Sequence, residues 1–128
     1  YVITDEARHV HFGVVALKNH YAHLGSASLR KDREDWAYEI CVLLKYRFLA
    51  HEFYDEYYAS LMSKKQWNAL VLNSKAMQVF WQSMFRRIVP NLKYVGLLSA
   101  RLRPHYERLG ILQFEREKSA VDLSPGGF

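Results

Sequence analysis

A carboxylate and an imidazole stand three residues apart near the start of this chain, as Glu6-x-x-His9 within Thr4-Asp5-Glu6-Ala7-Arg8-His9-Val10-His11-Phe12-Gly13. On an α-helix, positions i and i+3 project from one face, so the two side chains can converge on a single metal ion. Spacing alone is weak evidence, because a chain of this Glu and His content gives roughly 0.4 such pairs by chance. The ordinary alternative is a solvent-facing pair on a surface helix. His20 and His23 repeat the spacing, but two imidazoles fall short of the ligand set of a zinc site. His11 lies off the ligand face, and Arg8 reads as a structural ion-pair partner. Glu39 is expected on the core side of its helix, near Trp36 and Leu43. There it either pairs with Arg47 or a tyrosine, or completes a site across a homodimer. No phosphate-binding glycine loop, nucleophile elbow or Cys/His pairing is present, so no catalytic residue is assigned.

The elements that must position these residues are helices. Helix formers dominate, Gly and Pro are few, and half of the residues are hydrophobic, which together predict an all-α helical bundle. The first helix is expected over 2–24, with Phe12, Gly13, Ala16, Leu17 and Leu24 following Glu6 and His9 on the helical period into a packed seam. Gly13 there would let a neighbouring helix come close. Gly25 ends this helix, and Ser26 and Ser28 offer N-caps for the next. A long second helix is expected over 29–61. Trp36, Ile40, Leu43, Leu44 and Phe48 form its apolar face, and a break is expected in the aromatic stretch 51–58. A short helix follows over 64–72. Another runs over 75–89 behind the cap Ser74, with Met77, Phe80, Trp81, Met84, Phe85 and Ile88 inward. Pro90 is expected to stop it, since proline lacks an amide donor and clashes with the preceding turn. Asn91 would begin a further short helix through Leu98, and a last one at 104–109 would close on Gly110. Residues 1–114 thus read as the helical part, and the charged stretch 115–128 as a flexible tail.

Composition bounds the function. At 128 residues the chain holds one domain. It begins at Tyr1, and Val2-Ile3 lead straight into helix, so it reads as the C-terminal piece of a longer protein. The net charge of +5 comes from Lys and Arg dispersed among large apolar residues without a nucleic-acid motif, which favours a solvated surface over a nucleic-acid partner. The lone Cys41, between Ile40 and Val42, excludes an intrachain disulfide and a cysteine-based zinc site. It reads as a buried inert thiol and fits a reducing, cytoplasmic setting. No apolar run reaches the length of a membrane span.

The fuller string from Tyr1 to Gly13 resembles the last metal-ligand helix of the ferritin-like di-iron carboxylate oxygenases, a helix also found in the ribonucleotide reductase small subunit and in N-oxygenase-type enzymes. The later strings Ile88-Val89-Pro90-Asn91-Leu92-Lys93 and Gly96-Leu97-Leu98-Ser99 resemble the C-terminal part of bacterial ferritin-like domain proteins. Residues 1–17 carry the metal motif, and the weaker likeness extends to about Phe114. The resemblance implies that Glu6 bridges or terminally ligates one iron, that His9 binds the same iron, and that Asp5 supports a ligand histidine from outside the ligand sphere. It implies a di-iron cofactor, with manganese as the other candidate, and an oxidoreductase that activates dioxygen on an unidentified substrate. The family pattern needs a Glu, a Glu-x-x-His and a further Glu before this Glu-x-x-His. The missing ligands would belong to N-terminal helices of the same protein, leaving the isolated fragment inactive. The rival reading is a non-catalytic helical interaction or oligomerisation domain.

Overall fold

The computed structural model describes residues 2–123, with side chains from Ala7 onward. The chain is all-α: α1 (Val2–Ala22), α2 (Ala27–Arg47), α3 (His51–Tyr57), α4 (Lys64–Asn73), α5 (Lys75–Val95), α6 (Arg103–Leu109) and a 3-10 turn, Leu112–Phe114. No strand occurs among the described residues. Short polar side chains set the helix starts. Ser26 Oγ accepts from the Leu29 amide at 3.2 Å, and Ser74 Oγ from the Met77 amide at 3.5 Å. Ser63 and Gln66 form a reciprocal capping box at α4. Gly96 and Gly110, both at positive φ, close α5 and α6 in the left-handed conformation that glycine adopts without strain.

Two boundaries differ from the sequence reading. The long second helix is two helices. It stops at Arg47, and Ala50 takes a left-handed conformation at φ 48° before α3 begins. Pro90 does not end its helix; α5 runs straight through it to Val95. A mid-helix proline costs about 3 kcal/mol. Here Pro90 is buried, as are Phe85, Val89 and Val95 of the same helix, and apolar burial offsets the lost hydrogen bond.

The main core joins Cys41 of α2, Phe85 and Val89 of α5, Tyr106 and Leu109 of α6, and Ile111 and Phe114 beyond it. A second cluster, Val14, Ala37, Val95, Leu97 and Ala120, ties α1 and α2 to the end of α5. Within residues 115–123, read above as the start of a flexible tail, Glu115 and Ala120 make specific contacts, while Arg116, Glu117, Lys118 and Asp122 are exposed. Arg103 holds Glu115 through two hydrogen bonds of 2.9 and 2.8 Å, the Ala120 amide donates to Asn91 Oδ1 at 2.7 Å, and Ala120 is buried. No helix among the described residues is long and apolar enough to cross a membrane.

Candidate metal half-site

α1 is continuous from Val2 to Ala22, so its backbone carries residues 6 and 9 on one side of one helix. The side chains of Asp5 and Glu6 lie outside the described residues. His9 is described and exposed, as is His11.

The inward direction of α1 is not the one the apolar spacing predicts. Ala7 and Val14, seven residues apart, are the buried pair, at 3% and 8% exposure. Val14 packs in the cluster with Val95 and Leu97, and Lys18 Nζ sits 4.1 Å from the centre of the Tyr94 ring. Phe12, expected in a packed seam with His9, is 75% exposed, and Leu17 is exposed as well. A Cβ added at Gly13 would meet nothing within 4 Å, so no helix among the described residues uses that approach. The physical reason is size. Alanine and valine let α1 lie close against α5, whereas the Phe12 side would hold the two helices apart.

α2 shows the same inversion. Glu39 is exposed, and so are Trp36, Ile40 and Leu43, the residues expected to surround it in the core. The buried face holds Glu34, Ala37 and Cys41. Arg47, named above as a possible partner of Glu39, pairs with Glu52 at 3.4 Å. Glu34, absent from the sequence-based candidates, is the buried carboxylate of α2, and Arg101 reaches its oxygen at 3.8 Å. The same arginine holds Asp35 at 2.7 Å. With Lys31 and Arg101 both hydrogen-bonded to it, the Asp35 carboxyl lies below its ordinary range. These are structural pairs of α2, and among the described residues neither Glu34 nor Glu39 joins His9 in a metal-type cluster.

The remaining candidates have ordinary roles. His23 is hydrogen-bonded through Nδ1 to the Asn19 carbonyl at 2.8 Å, and the His20 ring packs edge-on against Tyr21. Cys41 is 1% exposed, and burial pushes its thiol up to about 12, so it stays protonated and inert at neutral pH. Among the described residues no three His, Cys, Asp or Glu side chains come together as a metal group. One carboxylate and one imidazole are the right donor types for iron, but a ferritin-like di-metal site draws on four helices. Glu6 and His9 are, by residue type and spacing alone, donors that such a site could draw from one helix. Comparison with protein-family models, with curated proteins and with solved structures finds no match to this chain.

Proposed function

We propose that α1 supplies Glu6 and His9 as one half of a di-iron site, with manganese as the alternative metal, in a ferritin-like oxidoreductase that activates dioxygen. The observation that carries this reading is the open side of α1. His9 and the 75%-exposed Phe12 lie opposite the Ala7–Val14 face that packs on α5. A helix seated by one face and presenting an imidazole and a large apolar side chain on the other is suited to being covered by further helices.

On this reading, N-terminal helices of the same protein bring the other Glu, Glu-x-x-His and Glu ligands. Such a site, once loaded, would supply the redox chemistry of iron or manganese for dioxygen reduction. His9 holds one metal through a ring nitrogen, and Asp5 fixes the orientation of a ligand histidine. Phe12 and Ala16 then close the side of the site against water, where they now face solvent.

The test uses the protein with its native upstream sequence, measuring iron content and oxygen consumption. His9→Ala should lose both while far-UV circular dichroism stays helical. Asp5→Ala should weaken metal binding on the order of 10–100-fold. His11→Ala should match the parent. Equal loss in the His9 and His11 variants would sink the assignment, since only His9 stands at ligand spacing from Glu6. The isolated 128-residue chain should bind Fe(II) weakly. Tight stoichiometric binding by it would point to a site assembled between two copies.

A second reading, a helical interaction domain without an intact metal site, draws support from α2. Leu29, Trp36, Ile40 and Leu43 are all exposed at spacings of seven, four and three, forming one apolar stripe along that helix. Such a stripe on a chain of this size marks a surface meant to be covered. Metal content separates the two readings.

A further inference from the structure

A cavity of about 390 Å³ lies between the C-terminal end of α2, the end of α4 and the first half of α5. That volume falls within the range of small-molecule pockets. Phe48, Leu72, Met77 and Trp81 give it apolar walls, and among the described residues Lys45 is the only charged one lining it. No residue of α1 contributes, so nothing here depends on the metal reading.

Lys45 is held in place. Its ammonium donates to the Leu109 carbonyl at 2.6 Å and stands 5.0 Å from the centre of the Trp81 ring. One of its three N–H donors is engaged by that carbonyl, leaving two for another acceptor. No ion pair among the described residues includes it. The apolar surroundings hold its ammonium below the usual lysine range, as expected of a half-buried cation lacking a counter-ion. A fixed cation beside apolar walls is complementary to a small molecule with a hydrophobic body and one anionic head. The planar Trp81 ring and the flexible Met77 side chain suit an aliphatic or aromatic body.

We infer that the cavity between α2, α4 and α5 binds a small hydrophobic carboxylate, its head on Lys45 Nζ and its body between Phe48, Leu72, Met77 and Trp81. The carboxylate accepts the free N–H donors, and burial of the pair away from water strengthens the contact. A neutral molecule of the same shape gains only the apolar part.

The probe is octanoate, with octanol as its uncharged counterpart, titrated into the intact chain. In the wild-type protein, octanoate should shift the Trp81 indole N–H resonance saturably and leave those of Trp36 and Trp67 in place. Lys45→Met keeps the aliphatic stem and should weaken octanoate by about tenfold or more while changing octanol by less than about twofold. Met77→Trp, which fills the cavity, should abolish both. Octanoate that leaves the Trp81 signal unmoved, or moves Trp36 or Trp67 instead, overturns the proposal without reference to any variant. Octanoate affinity unchanged in a folded Lys45→Met protein overturns the role of the ammonium.

Discussion

Tyr106 is wholly buried, yet its hydroxyl has no hydrogen-bond partner among the described residues. A buried, unpaired hydroxyl costs stability, because it has left water without a replacement contact. Desolvation also raises its pKa above the ordinary tyrosine value. Tyr106→Phe should therefore leave stability unchanged or raise it by up to about 1 kcal/mol in chemical denaturation. A loss of more than that would reveal a hydroxyl contact outside this account. Glu115 is the opposite case. The two hydrogen bonds from Arg103 pull its pKa below the ordinary value of 4.5. A depressed pKa in the folded state means that the unfolded chain takes up the proton first. The pair's contribution is thus whole above the ordinary carboxylate range and is lost as pH falls through the lowered value. Glu115→Gln should flatten the acid limb of the stability–pH curve while leaving the neutral side nearly parallel to wild type. An unchanged acid limb would show that the pair contributes nothing.

The helices themselves were legible in the sequence where local chemistry fixes them. Ser26, Ser74 and Gly110 mark their boundaries with side chains or backbone freedom that act on the nearest turn. The break after α2 lies earlier than the stretch 51–58 where it was expected, because residues 48–50, Phe-Leu-Ala, contain no residue that favours a turn. Ala50 nevertheless takes the left-handed region, beside a buried Leu49 whose carbonyl accepts from the indole N–H of the buried Trp67. That conformation costs an L-residue roughly 1–2 kcal/mol and glycine almost nothing. Ala50→Gly should accordingly raise the thermal midpoint, by a net stabilisation of about 1 kcal/mol or less after the entropy of glycine is counted. A lower midpoint would mean that the strain is absent. The direction in which α1 and α2 face was also hidden. Both helices carry two faces that hydrophobicity can place inward, and the more apolar one is outside. Trp36, Ile40 and Leu43 form a richer stripe than Glu34, Ala37 and Cys41, but small residues allow the close approach that the core requires. For the same reason the sequence did not show that the His9 and Phe12 side of α1 is exposed. The Lys45 cavity left no local signal, since its walls come from three separate helices.

At the scale of the molecule, two helices carry large apolar side chains on their outer faces, Phe12 on α1 and Trp36, Ile40 and Leu43 on α2. Covering the α1 part with ligand-bearing helices is the central claim, and locating the metal tests it most directly. Crystals of the protein carrying its native upstream sequence, grown with Fe(II), should give anomalous scattering at the iron absorption edge. The account predicts an iron peak within bonding distance of a His9 ring nitrogen, on the side of α1 facing away from Val14 and α5. Iron bound elsewhere while His9 remains in solvent, or a covered His9 face that holds no metal, would contradict it.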